Sequence, residues 1–309
     1  MRSILPSILN KAGVATQRVA RALCGVPLGS RIPTVNELVE ICDVVRGNVQ
    51  KALCNLKESG AVALEAHGQN GTILLDINYL ALAEACGVDH LVGVMPLPYT
   101  GRYEGLATGL FGLLGATSIR SYISFMRGSE ARVQSLLDGF ADYCVMSRLA
   151  FQEYLSRGVA IEPVLDCGAY SYVGRHVLLM RQDETALEEV RLVGIDETSA
   201  DQRLLTRRYF ANRPVRYVSI QYTQIVSALQ DGRIDVGIWN EDDLHLNEEG
   251  LVARELSERS VQYIDDTHAV VVVRSGDELT AHLIRELIDI DELLAIQGKV
   301  MRGEIPARY

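Results

Sequence analysis

The sequence predicts an α/β protein, with a small helical head followed by a two-lobed body. Three observations predict it. Residues 34–60 hold two short segments with helical apolar spacing joined by a tight turn. From residue 90 the pattern alternates strand and helix, the grammar of an α/β sheet. That alternation runs through one set of strands, then a second set, and an apolar strand at 269–274 then returns to the first.

At 309 residues the chain is long enough for two domains and a substantial core. Its formal charge is −10, which argues against a nucleic-acid partner until it is divided. Residues 1–75 carry 8 Lys+Arg against 5 Asp+Glu, a balance of +3, and the rest carries −13. A mildly basic head on an acidic body suits a sequence reader whose body should not adhere to DNA.

The six cysteines form no CxxC pair and sit mostly in apolar patterns, as reduced buried thiols of a cytoplasmic protein do. The opening MRSILPSILNKAGVATQ lacks a long apolar core and an A-x-A site, and no apolar run reaches membrane-spanning length. The expectation is a chain neither exported nor membrane-spanning.

In order, a helix is expected over 11–24 (Val14, Val19, Leu23), then a Pro/Gly connection over 25–32. Thr34-Val35-Asn36-Glu37 reads as a capping box opening the next helix. Val35, Leu38, Val39 and Cys42 form one stripe, and Val49, Ala52, Leu53 and Leu56 form another after Asp43-Val44. The opposite face of the second helix carries Arg46, Asn48, Gln50, Lys51 and Asn55, which can reach phosphates and base edges, and Gly60 supplies a left-handed stop. Two β-prone runs around His67-Gly68-Gln69-Asn70-Gly71 then read as a hairpin. This is a winged helix-turn-helix.

The string RIPTVNELVEICDVVRGNVQKALCNLKESGAV with its GQNGT wing resembles the winged helix of GntR-type bacterial regulators, over about a quarter of the chain. Asn36 and Val45 stand where that family usually has Arg and Ser. The expected partner is a double-stranded DNA operator. Arg46, Asn48 and Gln50 would read bases; Arg31, Lys51 and the wing residues His67 and Gln69 would hold phosphates, with Thr34 and Asn36 beside them. The head is assigned to 1–76. A linker follows over 77–89, with an apolar helix-like run that is expected to take part in a homodimer contact.

The body, 90–309, is read as strand 90–96, helix 103–114, strand 119–126, helix 130–137, strand 143–146 and helix 148–156, with 173–181 leading out of the first lobe. The second lobe follows as strand 191–195, helix 200–210, strand 215–220, helix 223–230, and strands 234–239 and 251–256. One long helix over 278–296 closes the chain. The first lobe is placed at about 90–183 and 268–309, the second at about 184–267. The alternation points to parallel sheets. Two lobes joined by two crossings describe a type 2 periplasmic-binding-protein fold, as in LysR-type effector domains.

MPLPYTGRYEGLA, FMRGSEARV, VMSRLA, YVGRH, SADQ and WN resemble the YhfZ family over essentially the whole chain. The resemblance implies a helix-turn-helix joined to such a body. It implies little about a ligand.

In such folds a ligand lies between the lobes, at strand carboxyl ends where helix N-termini aim amides at an anion. That rule selects Pro98-Tyr99-Thr100, Arg127-Gly128-Ser129, Ser147-Arg148, Thr198-Ser199 and Gln221-Tyr222, completed by Trp239-Asn240. Arg127 and Arg148 can pair with a carboxylate or phosphate, and Trp239 can offer a flat wall. The expected effector is a small anion. The competing reading is that Ser, Thr and Asn cap helices and each Arg makes an ordinary ion pair.

No G-x-S-x-G, P-loop or G-x-G-x-x-G occurs, and Gly101, Gly105 and Gly109 read as close helix packing. The six histidines, His245 among them, are scattered, and Glu241-Asp242-Asp243 and Asp265-Asp266 read as solvated turns. The expectation is no enzyme, no catalytic residue, no metal and no cofactor. The alternatives are an enzyme or solute-binding protein on the same fold with a docking head, and a DNA-binding protein whose body only dimerises.

Overall fold

The computed structural model describes residues 11–182, 187–242, 250–256 and 264–309. The expectations for the N-terminal ten residues, Asp243, His245 and the lobe boundary at 183/184 fall outside them. Among the described residues no helix is long and apolar enough to cross a membrane. By its contacts the chain forms two units. Of the described residues, one holds 11–91 with 115–120 and 276–287; the other holds those within 92–114, 121–275 and 288–309.

The first unit begins with α1 (Lys11–Cys24), α2 (Val35–Cys42) and α3 (Arg46–Glu58). Ala15, Val19 and Leu23 of α1, Leu38 and Cys42 of α2, and Val49, Ala52 and Leu56 of α3 are buried together, so the stripes share one core. The capping box forms: the Glu37 amide donates to Thr34 Oγ1 at 3.3 Å and the Thr34 amide to Glu37 Oε2 at 2.6 Å. Asp43, left-handed at φ 48°, turns the chain, and Arg18 donates to the carbonyls of Cys42 and Asp43 at 2.8 and 3.0 Å.

Gly60, at φ 71°, follows α3 into the antiparallel strands β1 (Val62–Ala66) and β2 (Thr72–Ile77), linked by a 3-10 turn over Gly68–Asn70. The expected linker contains α4 (Tyr79–Ala85), capped by Asn78. It packs on α1 within the unit.

The second unit is two five-stranded sheets. The chain continues through β3 (His90–Met95), α5 (Gly101–Gly115), β4 (Arg120–Phe125), α6 (Ser129–Leu137), β5 (Tyr143–Ser147), α7 (Arg148–Ser156) and β6 (Ile161–Asp166). It then enters the second lobe through β7 (His176–Arg181), β8 (Leu192–Ile195), α8 (Ala200–Tyr209), β9 (Arg216–Ser219), α9 (Ile225–Gln230), β10 (Val236–Asn240) and β11 (Leu251–Glu255). β12 (Ala269–Arg274) returns to the first sheet, ordered β4-β3-β5-β12-β6; the second is β11-β7-β10-β8-β9.

Three expectations are corrected. The sheets are mixed: β12 runs antiparallel to β5 and β6, and β7 antiparallel to β10 and β11, because strands that arrive through the crossings enter from the opposite end. β7 belongs to the second sheet, so the first crossing spans 167–175. Its Tyr172 amide donates to the Thr267 carbonyl of the second crossing at 2.8 Å. The closing helix is two, α10 (Glu278–Leu287) and α11 (Ile290–Met301), because Asp289 leaves the helical path and caps the Glu292 amide at 2.9 Å. α10 packs on α4 in the first unit, where His282 and Tyr79 stack at 4.3 Å.

Leu178 and Met180 pack on one side of the second sheet with α8, and Leu179 on the other with α9, so its strands are buried on both faces. In the first lobe Gly105 and Gly109 lie against Gln297 and Leu293 of α11, the close packing their spacing predicts.

Candidate functional site

On the head, Arg46, Gln50 and Lys51 are exposed at the start of α3, and Asn48 is half-buried. Arg46 donates to Asn36 Oδ1 at 2.9 Å, which joins the starts of α2 and α3 on one surface. Arg31 is exposed and pairs with Glu37 at 3.7 Å, while Thr34 is committed to the capping box. His67 and Gln69 are exposed at the hairpin tip, with His67 3.5 Å from Glu65.

A cavity opens between the lobes where β3, β4, β8 and β10 end, and it encloses about 630 Å³ including its mouth. Of the residues selected by the strand-end rule, Tyr99, Arg127, Gly128, Ser129, Ser199, Tyr222 and Asn240 line it. Gly128, at φ 76°, lies where a side-chain carbon would sit 3.0 Å from the Thr198 carbonyl oxygen, so glycine lets the lobes approach. Ser129 Oγ accepts from the Tyr154 hydroxyl at 2.9 Å and from the Ala200 amide at 3.2 Å. Arg127 donates to the side chain of Gln221, again from lobe to lobe.

The other selected residues stand outside the lining, each for a local reason. Thr100 Oγ1 accepts from the Tyr103 amide, and Pro98 precedes it in the same turn. Thr198 bonds the Asp196 carboxylate through its amide and hydroxyl at 2.9 and 2.6 Å. Trp239 stacks on Tyr222 at 4.3 Å and 4°, so it supports the wall that Tyr222 presents. Ser147 caps α7 through the Ala150 amide. Arg148 is the clear correction: it pairs with Asp166 at 2.9 Å and Asp265 at 2.6 Å, a structural ion pair brought together by residues far apart in sequence.

Several lining residues escape the strand-end rule. Arg132 lies one turn into α6, 5% exposed beside Val133 and Leu136; a cation on an apolar stripe is the signal that marks it. It donates to the Met126 carbonyl at 3.1 Å and the Tyr172 hydroxyl at 3.3 Å, and its Nε has no acceptor among the described residues. Asp201 and Gln202 come from the first turn of α8, and Tyr172 and His176 from the first crossing and the start of β7. These residues fall within FMRGSEARV, SADQ and YVGRH.

Burial pushes the Asp201 carboxyl up to about 6, against the Ser147 hydrogen bond and the charges of His176 and Arg132. Burial works against a charged His176, yet Asp266, bonded to its Nδ1 at 2.5 Å, raises it above the ordinary imidazole value. Burial also raises the phenols of Tyr103 and Tyr222, which stay neutral. The cavity thus combines aromatic walls with buried charges of both signs.

The model of the YhfZ C-terminal domain matches residues 78–309, and a helix-turn-helix domain matches 27–74. The Escherichia coli K12 protein YhfZ, described as uncharacterised, is 36% identical over 98% of this chain and 99% of its own. This chain belongs to the YhfZ family.

The crystal structure of YhfZ from Shigella flexneri matches at 36% identity and TM-score 0.65, over 75% of this chain and 98% of that one. A periplasmic substrate-binding protein of a Coxiella burnetii ABC transporter is more remote, at 13% identity and TM-score 0.46, over 69% and 97%. A helix-turn-helix domain ahead of a YhfZ C-terminal domain points to a DNA-binding regulator.

Proposed function

We propose that this protein is a transcription regulator that senses a small anionic metabolite between its two lobes. The observation that carries the sensing is Arg132, a guanidinium buried in the interlobe cavity with no carboxylate in salt-bridge range among the described residues. A buried cation without a counter-charge is costly, and an anionic ligand offsets that cost. The reading assigns the cavity no catalytic step.

The ligand acts by population shift. It favours the closed arrangement held by the Ser147–Asp201, Ala200–Ser129 and Arg127–Gln221 bonds. In a homodimer this closure changes the spacing of two heads that must meet half-sites about 34 Å apart, or a multiple of that.

A footprint of the full chain on its own upstream DNA, at two salt concentrations, tests the DNA half. Paired protected half-sites that survive moderate salt, and disappear when Arg46, Asn48 and Gln50 are replaced by Ala, are expected. Smeared protection lost with salt would mean only phosphate attraction and would remove the regulator reading.

A further inference from the structure

The cavity holds two charges of opposite sign that do not meet, Arg132 buried and Asp201 half-buried. Among the described residues Arg132 donates to the Met126 carbonyl and the Tyr172 hydroxyl, and its Nε is buried without an acceptor. Asp201 accepts at Oδ1 from Ser147, and its Oδ2 accepts no hydrogen bond among the described residues. Neither is within the 4.0 Å of a salt bridge to the other or to any further charged group among those residues.

The neighbouring charges are already engaged. Asp196 accepts from the amide and hydroxyl of Thr198 and from the Tyr222 amide. His176 is held by Asp266, and Arg127 by Gln221. Asn240, 3% exposed, adds to the same lining a side-chain amide nitrogen with no acceptor among the described residues.

We infer that the ligand is a small amino-carboxylate, its carboxylate taken by Arg132 and Asn240 and its ammonium by Asp201. The inference rests on the sensor reading above and narrows its ligand class. A molecule with both charges supplies both missing partners at once. A simple anion satisfies Arg132 and adds negative charge beside Asp201, which disfavours it.

The experiment is calorimetric titration of the full chain with matched series. The first holds the standard α-amino acids, β-alanine and γ-aminobutyrate. The second holds the same skeletons without the amine, such as propionate for alanine, together with inorganic phosphate and succinate. The third holds the skeletons without the carboxylate, such as ethylamine.

At least one amino-carboxylate should bind, with its amine-free and carboxylate-free counterparts each weaker by about tenfold or more. Asp201→Asn should cost that compound about tenfold while leaving the amine-free carboxylates bound as tightly or more tightly. Carboxylates, succinate or phosphate binding as tightly as any amino-carboxylate would overturn the ammonium subsite and leave the anion-sensor reading standing. No binding in any series would overturn both. The wild-type series decides the matter even if the substituted protein misfolds.

Discussion

Ser147 Oγ donates to Asp201 Oδ1 at 2.5 Å, so the last residue of β5 in one lobe is tied to the first turn of α8 in the other. The same Oγ accepts from the Ala150 amide at 2.9 Å, which fixes the hydroxyl's direction. The tie leaves Asp201 half-buried at the cavity, and desolvation pushes its carboxyl up to about 6.

That displacement sets a pH dependence. With the folded value above the ordinary 3.8, the folded state holds a proton that the unfolded chain has released, so stability falls as pH rises from about 4 to about 6. Asp201→Asn removes the charge and keeps an acceptor for Ser147. Unfolding free energy at pH 7.5 should rise by about 2–3 kcal/mol in the unliganded protein, and the fall across that window should flatten. Urea titrations of both proteins at pH 4.5 and 7.5 measure this, and equal slopes in pH would show that the carboxylate is already well solvated.

Gly105 and Gly112 share α5 and should respond oppositely to Ala. A side-chain carbon at Gly105 would sit 2.8 Å from Gln297 Cα, so backbone must move. Gln297 also donates to the carbonyls of Arg102 at 3.0 Å and Ser171 at 2.7 Å, so the shift reaches the first crossing. Gly105→Ala should cost about 1–3 kcal/mol. At Gly112 nothing lies within 4 Å, and Ala there should gain up to about 1 kcal/mol through helix propensity. Thermal melts that move in the same direction would contradict this packing.

The head is legible in the sequence because its determinants are local: a capping box four residues long, stripes within single helices, and a hairpin between adjacent strands. The body is legible as apolar runs but not as pairings. β6 is obscured by Pro163 and the charged Glu162 and Asp166, and the lobe of β7 depends on partners more than fifty residues away. In the cavity, strand ends find Tyr99, Gly128 and Asn240, since any ligand there meets the loops. Arg132 and Asp201 depend on which helix face meets the opposite lobe. Arg148 is removed from the site by Asp265, 117 residues away.

Thr34→Ala should destabilise the first unit, because it leaves the Glu37 amide without its acceptor, while the backbone amide of residue 34 still donates to the Glu37 side chain. The cost expected for an N-cap is about 1 kcal/mol. Thr34→Ser keeps the acceptor and should retain most of the stability. Hydrogen exchange of the α2 amides reads the difference locally, and unchanged protection in the Ala variant would mean that packing of Leu38 and Cys42 alone sets the helix start.

Tyr222 joins wall and backbone, so its two parts can be separated. Its ring stacks on Trp239 at 4.3 Å, and its hydroxyl accepts from the Asn240 amide at 2.7 Å where Asn240 is 3% exposed. Tyr222→Phe keeps the stack and leaves a buried amide unpaired, a loss of about 1–3 kcal/mol. Trp239→Ala keeps the hydroxyl bond and removes the ring's support, with a cost of similar size from lost packing. Both should lower the urea midpoint with little change in slope. They should part at the cavity: the Phe variant releases the Asn240 backbone that positions its side-chain amide, whereas the Ala variant loosens only the wall. Ligand affinity should therefore fall more for Tyr222→Phe than for Trp239→Ala, and the reverse order would assign the cavity's selectivity to the aromatic surface instead of to Asn240.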